Sequence, residues 1–408
     1  TGARALLRRK RQLESRHPHI LLDLCLYGKE DGAIAVEKRS VLFVIHSLGG
    51  GGAEKILVNI ANNLNPELFD VTVMTIVDSG YHRSHLAPGV RYRSLLSLPG
   101  VSGGKPSSPK AGASGSLLAG KRRFKSQLAS IYYWFWKLAP KRLLYRLAIR
   151  DPFDIEVSFL EGICAKFVSG SWNDRSRKLC WLHVDVVNEG KSHRAFRSFG
   201  DERRCYGVYD GLLAVSEGVA AAFSEYMGVD PSGIAVVRNP LDVGEIREGA
   251  KEPISSEDEK LLEPFTFCSI GRLCEQKAFD RLIRAAGILK ERGFCFSVVI
   301  LGEGKLEEEL STLVEEEGLG DTVHLLGFKE NPYAYLARSD AYVCTSVAEG
   351  MSTTVSEAIV LGLPIVSTNC AGTRELLGAA RGEVVGDDPE SIAAGMALVM
   401  DPAYFGTT

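Results

Sequence analysis

The sequence predicts an α/β chain built from two doubly wound, Rossmann-like domains facing each other across a cleft. Three observations carry this expectation. Apolar, β-branched runs of strand length alternate with segments of helical period over most of the chain. The alternation pauses once, over the polar and acidic stretch "VGEIREGAKEPISSEDEKLLE" (243–263), and then restarts. The 408 residues, 45% hydrophobic and 24% charged, suffice for two full cores. The boundary falls in the polar stretch. Residues 1–40 then read as an N-terminal extension with a short helix, 41–245 as a first domain and 264–408 as a second.

In the first domain, "VLFVIH" (41–46) reads as a buried strand, "AEKILVNIANNL" (53–64) as an amphipathic helix and "FDVTVMTIV" (69–77) as the next strand. This β-α-β unit implies parallel strands and a right-handed crossover. Its turn, "HSLGGGGAEK" (46–55), is a glycine loop of the kind that faces an anion at a helix start. It has no Walker lysine and no complete dinucleotide fingerprint. Residues 98–120 are rich in Gly, Ser and Pro and read as a mobile loop. "FDIEVSFL" (153–160), "RKLCWLHVD" (177–185), "GLLAV" (211–215) and "IAVVRNPLD" (234–242) read as further strands, with a helix from about Ser216.

The second domain repeats the pattern: "FTFCSIG" (265–271) with "FDRLIRAAGILKERG", "FSVVILG" with "KLEEELSTLVEEEG", and "VHLLG" with "NPYAYLARS". "AYVCTS" (341–346) with "STTVSEAIVLG" and "PIVST" with "TRELLG" follow. The crevice at the carboxyl ends of the strands is the expected site.

Charge is divided unevenly. Residues 1–150 hold 24 Lys+Arg against 9 Asp+Glu, and residues 151–408 hold 24 against 42. From Gly80 to Arg150 there is no acidic residue. Such asymmetry points the first domain towards something anionic. The segment 121–150 concentrates it, with nine Lys+Arg and the aromatics Tyr132, Tyr133, Trp134, Phe135 and Trp136. Its aromatics either pack inward as core or lie on an anionic membrane surface. No nucleic-acid-binding motif accompanies the charge, so no nucleic-acid partner is expected. The nine cysteines contain no C-x-x-C pair and read as buried thiols of a cytoplasmic protein. No apolar run reaches 18 residues and no signal peptide is apparent, so no membrane span is expected.

Two segments carry chemistry. "SIGRLCEQKAFD" (269–280) places Arg272 and Lys277 between a strand end and a helix start, where two cations can clamp a diphosphate. Two solvated surface cations would read the same. "AEGMSTTVSEA" (348–358) places Glu349 before a helix and Glu357 about one turn into it, with Ser352 as N-cap and hydroxyls at Thr353 and Thr354. The free N–H groups of that helix start favour an anion. Carboxylates on either side suit hydroxyl-rich groups, whose hydrogen bonds they accept. A capped helix with one exposed Glu is the plainer alternative.

Together, Gly271-Arg272-Leu273…Lys277 and Glu349-x₇-Glu357 resemble the C-terminal domain of family-4 retaining glycosyltransferases of the GT-B fold. "ILGEG" (300–304), "YLARSDAYVCTS" (335–346) and "GLPIVSTNCAGTRELL" (362–377) follow the family pattern in order, and the first half matches more loosely. The chain is most similar to bacterial enzymes of capsule and exopolysaccharide synthesis. It departs from the family at Ala278, Met351, Ser352 and Ser356, where Gly, an aromatic, Gly and an aliphatic residue are common.

The resemblance implies a nucleotide-diphosphate sugar as donor, a UDP-sugar foremost, and a saccharide or polyprenyl-diphosphate-linked acceptor on the first domain. Arg272 and Lys277 would hold the diphosphate, with Thr353, Thr354 and the backbone at Gly51 and Gly52. Glu349, Gly350, Met351 and Ser352 would bind the donor sugar. Glu357 would take the ribose, and Phe328 and Lys329 would flank the base. His183 stands at the position of the family's first-domain histidine, which contacts the donor sugar near its anomeric carbon, so His183 and Glu349 would be the catalytic residues, although a buried core histidine would also fit at 183. Transfer would retain the anomeric configuration without a metal or other cofactor. The enzyme would sit on the inner face of the cell membrane through 121–150. The resemblance also implies a helix beyond "ALVMDPAYFGTT" crossing back to the first domain. A sugar-nucleotide 2-epimerase of the same fold, or an inactive partner subunit of a transferase, are the competing readings.

Overall fold

The computed structural model describes residues 38–96, 130–189, 192–262, 265–378 and 381–405. The short helix expected within 1–40 and the loop at 98–120 therefore lie outside the described residues.

Two all-parallel sheets account for the architecture. The first has seven strands in the order β3-β2-β1-β4-β5-β6-β7. These are β1 Arg39–Ile45, β2 Phe69–Val77, β3 Arg91–Leu96, β4 Ile155–Ser158, β5 Arg177–Leu182, β6 Gly211–Ala214 and β7 Ile234–Val236. The second has six strands in the order β10-β9-β8-β11-β12-β13. These are β8 Phe265–Ile270, β9 Phe296–Leu301, β10 Val323–Leu325, β11 Ala341–Cys344, β12 Ile365–Thr368 and β13 Gly382–Val385. Both are doubly wound, as the alternating pattern predicts. Each sheet reverses direction once, between β1 and β4 and between β8 and β11. Such a reversal opens a crevice at the carboxyl ends of two adjacent strands.

Central strands are buried on both faces, which explains their unbroken apolar runs. Val41 to Ile45 of β1 and Val298 to Ile300 of β9 are fully buried. Helices cover the faces. In the second unit, Leu282, Ile283, Ala286 and Leu289 of the helix Phe279–Glu291 pack at helical spacing on Phe267, Val298 and Val343. The helix Pro389–Met400 completes this layer. Asp388 caps it by accepting the Ser391 N–H at 2.8 Å. Gly395 lets it press on the sheet, since a β-carbon there would meet Val385 Cγ1 at 2.6 Å.

The chain divides into two compact units. The first ends at Pro240 and leaves out Ser216–Ala222, which group with the second unit from Leu241 onward. The polar stretch 243–263 thus belongs to the second unit, where it forms the helices Val243–Gly249 and Ser256–Lys260. Its charges explain why it stays: Asp258 accepts from Lys329 Nζ at 2.7 Å and from Tyr335 Oη at 2.6 Å. Asn331 Nδ2 donates to Gly249 O at 2.8 Å. The eight described cysteines are free, and six are buried. Among the described residues no helix is long and apolar enough to cross a membrane.

Candidate active site

In the second unit, β8 and β11 are neighbours across the reversal, with Ala341 opposite Phe267 and Tyr342 opposite Cys268. The loops that leave them therefore run side by side, although about 70 residues separate them in sequence. Val347 N–H donates to Gln276 O at 2.8 Å, Gln276 Nε2 donates to Ala348 O at 2.8 Å, and Thr345 Oγ1 donates to Lys277 O at 2.9 Å. This brings Gly271, Arg272 and Lys277 together with Glu349 to Thr354.

Lys277 Nζ donates to Glu349 Oε1 at 2.5 Å, and Ser346 Oγ donates to the same oxygen at 2.9 Å. The two charged side chains are only 20% and 14% exposed. Burial, the largest single effect, opposes the lysine's charge, but the charge and hydrogen bond of Glu349, with the nearby Cys344 and Cys274, together hold the Lys277 pKa above its ordinary value. Gly271 is what lets the stem lie there: a β-carbon at this position would meet Lys277 Cε at 2.8 Å and Cδ at 3.0 Å. Arg272, by contrast, is exposed and makes no ion pair or hydrogen bond with a described residue. One cation of the pair is engaged and the other is open.

Ala278, which follows the lysine, has φ +48°, the one non-glycine residue among those described with a left-handed backbone. It turns the chain into the helix Phe279–Glu291. A glycine would hold this backbone without strain.

The other wall is the helix Thr353–Val360. Ser352 caps it as its N-cap, with Oγ accepting the Val355 N–H at 3.4 Å. Thr354 Oγ1 sits between Tyr342 Oη at 2.7 Å and Ser352 Oγ at 3.1 Å, whereas Thr353 is half-buried. Gly350 O accepts from Ser216 Oγ at 2.9 Å, and Met351 is buried. Glu357 lies on the second turn, buried, and accepts the Tyr333 hydroxyl at 3.2 Å. Phe328 and Lys329 follow β10 on the same carboxyl side, both half-buried. The Asp258 carboxylate and the Tyr335 ring, 5.1 Å from Lys329 Nζ, hold that lysine. Desolvation opposes both charges of the Lys329–Asp258 pair, yet the hydrogen bonds win. They raise the lysine's pKa and lower the aspartate's.

In the first unit, the glycine loop follows β1. None of Gly49 to Gly52 has a positive φ. Their value is room: a β-carbon at Gly51 would fall 2.2 Å from Glu54 Oε2, so the Glu54 carboxylate folds back over the start of the helix Gly52–Asn63. Gly80, at φ +135°, supports the loop from behind, since a β-carbon there would lie 1.9 Å from Leu48 O. His82 donates its backbone N–H to Leu48 O at 3.0 Å. Burial, and then the charges of His85 and Lys55, lower its pKa to about 4.

His183 stands just past the end of β5 and is 7% exposed. Its ring lies 4.6 Å from the Phe159 ring and 5.8 Å from that of Trp181. Nε2 is buried without a hydrogen-bond partner, and burial lowers the pKa to about 3, so the imidazole is neutral. The backbone N–H groups of His183 and Val184 both donate to Glu161 Oε1. Sequence reasoning missed Glu54 and Glu161. Only the acid immediately before Gly162, at a strand's carboxyl end, could have signalled the latter.

Residues 251–402 match the family model described as glycosyl transferases group 1. Among curated relatives, the chain is 34% identical over 174 residues to the N-acetylgalactosamine-N,N'-diacetylbacillosaminyl-diphospho-undecaprenol 4-alpha-N-acetylgalactosaminyltransferase of Campylobacter jejuni, a stretch covering 42% of this chain and 45% of that one. It is 32% identical over 199 residues to a putative colanic acid biosynthesis glycosyltransferase of Salmonella typhimurium, covering 46% and 47%. The matched stretches thus span less than half the length of these relatives. The fold matches that of an Anabaena protein solved with UDP and glucose, with a TM-score of 0.62, 18% identity and 90% of both chains covered.

Proposed function

We propose, from a second unit carrying the glycosyl transferases group 1 pattern, that the protein transfers a sugar from a nucleotide-diphosphate donor to a saccharide acceptor in cell-surface polysaccharide synthesis. The observation that carries this reading is the joining of the Arg272–Lys277 loop to the Glu349–Thr354 loop at the β8/β11 reversal. The barrier to such a transfer is charge separation between an oxocarbenium-like sugar and a departing diphosphate. Fixed cations and helix N–H groups aimed at the departing charge lower that barrier most. Arg272 is open to take a diphosphate. Lys277 would exchange Glu349 for it, which frees the Glu349 carboxylate to accept hydrogen bonds from the sugar. The start of the helix Thr353–Val360 supplies further N–H groups. Glu357 would accept from the ribose. On this reading the two cations balance the diphosphate without a metal, and the anomeric configuration is retained. The donor is a UDP-sugar and the acceptor is carried on a polyprenyl diphosphate.

The reading includes a place of work, the cytoplasmic face of an anionic membrane. Helical residues 130–138 and the helix Lys141–Ala148 turn Trp136 and Tyr145 inward onto Phe167. Lys166 Nζ and Arg197 Nε donate to Lys137 O at 3.2 and 2.9 Å, tying the first helix down at its carboxyl end. Outward, Trp134 (63% exposed) stands with Ile131, Phe135 and Leu138 at helical spacing, and Leu147 (65%) stands with Leu143. Arg142, Arg146 and Arg150 are exposed beside them. An apolar ridge beside cations suits the interface of anionic lipid.

The test is incubation with a panel of nucleotide-sugars, with and without a polyprenyl-diphosphate-linked saccharide. Acceptor-dependent release of nucleoside diphosphate, lost in Glu349→Ala, is expected. A new sugar-nucleotide epimer formed from donor alone would overturn the reading in favour of an epimerase.

A further inference from the structure

We propose that Glu161 is a positioning residue for His183, its carboxylate fixing the turn that presents the imidazole. The inference rests on the reading of His183 as the first unit's contribution to transfer.

Glu161 lies at the reversal of the first sheet. The backbone N–H of Phe159 still donates to Val44 O at 2.8 Å, continuing the β4–β1 pairing, and the chain then turns through Leu160, Glu161 and Gly162. Gly162 has φ +67°, and a β-carbon there would lie 3.0 Å from Ser192 O, so the turn is tightly specified. It delivers the Glu161 side chain towards the end of β5, the next strand over. There Oε1 accepts two successive N–H groups, those of His183 and Val184, the latter at 2.9 Å.

The arrangement is a costly way to hold a loop. Glu161 is 8% exposed, and its charge raises the pKa of the buried thiols Cys164 and Cys180, after the larger effect of their own burial. A neutral acceptor would satisfy two backbone donors with less desolvation. What the carboxylate adds is stronger, shorter, charge-assisted bonds and hence a stiffer turn. That turn carries a ring wedged on Phe159, with Nε2 buried and unpartnered. No hydrogen bond on Nε2 orients the imidazole, so its place is set by stacking and by the backbone that Glu161 clamps. A group that must meet a reacting centre within a fraction of an ångström needs such support.

The experiment combines Glu161→Ala, Glu161→Gln, His183→Ala and the double variant Glu161→Ala/His183→Ala, each checked for folding by thermal melting. The His183 ring is followed by NMR of protein labelled with ¹³C-histidine. Glu161→Ala is expected to displace the His183 ring resonance and to lower kcat by about 10- to 100-fold, with donor KM within about twofold. Glu161→Gln, which keeps an oxygen acceptor but loses the charge, restores only part of both. In the His183→Ala background, Glu161→Ala costs nothing further. Additive losses, or an unmoved resonance in a folded Glu161→Ala protein, would overturn the inference. If Glu161→Ala fails to fold, Glu161→Asp takes its place and carries the same expectations. The NMR readout needs no turnover. If no donor is turned over by the unmodified protein, the transferase reading fails, whereas the resonance still decides whether Glu161 holds the ring.

Discussion

Lys277 Nζ lies 2.5 Å from Glu349 Oε1, joining two loops whose residues stand 72 positions apart. The pair lies within the proposed donor site. Each charge substitutes for the partner that a bound donor would offer the other.

Removing one member leaves the other charge largely buried. Glu349→Gln and Lys277→Met are each expected to destabilise the fold by about 1–3 kcal/mol. The double variant should be less unstable than the sum of the two, with a coupling of about 1–2 kcal/mol. Urea denaturation of the four proteins measures this, and strictly additive losses would refute the pairing.

Ala278 holds a left-handed backbone at φ +48°. Such a conformation costs a residue with a β-carbon about 1–2 kcal/mol. Ala278→Gly removes that strain but frees the unfolded chain and gives up a buried methyl group. A net gain of about 0.5–1 kcal/mol is expected, read as a higher melting temperature. Ala278→Val should lower it.

Acid should destabilise the first unit through its histidines. The folded pKa values of His183 and His82 are lowered to about 3 and about 4. Below pH 6.5 the unfolded chain takes up protons that the folded chain refuses, so stability falls as pH falls through this window. Between pH 7 and pH 5, His183 alone should account for about 2 kcal/mol of that loss. His183→Phe keeps the stack on Phe159 and should flatten the dependence of the urea midpoint on pH. An unchanged slope would count against the buried neutral ring.

The apolar ridge should direct the protein to lipid. Co-sedimentation with vesicles containing phosphatidylglycerol is expected, weakening as salt rises, with little binding to phosphatidylcholine alone. Trp134→Glu with Leu138→Glu should abolish it and leave the melting temperature unchanged, since both side chains are exposed. Equal binding by this variant would mean that the ridge serves another surface.

The fold was legible wherever burial was complete on both faces. β1 and β9 carry uninterrupted apolar runs, Val41–Ile45 and Val298–Leu301, and β2 and β8 read as strands with only small polar residues and one Asp among buried apolar ones, because helices cover both sides of them. β3 escaped because "RYRSLL" is an edge strand with half-exposed residues and two arginines. β13 escaped because its four half-buried residues, a glycine first among them, show no period. In the second unit the motif residues Gly271, Arg272, Lys277, Glu349 and Glu357 were legible as motifs, and their proximity followed from strand order. Partners were not: nothing in the spacing said that Lys277 would rest on Glu349 or that Lys329 would pair with Asp258. Glu161 was the harder case. Its partners are backbone N–H groups, which carry no side-chain signature.

The register of Ala341 opposite Phe267 suggests how this unit can vary and stay whole. The two loops of the proposed donor site hang from adjacent strands, so the exposed faces of the intervening helices can change without moving either loop, provided β9 and β10 keep their places. Diversity can accumulate in those connections while the proposed diphosphate clamp stays fixed. A graft of residues 307–321 from a relative with another surface, which spares the Glu303 and Leu306 backbone bonds to Leu273, should then leave donor binding unaltered.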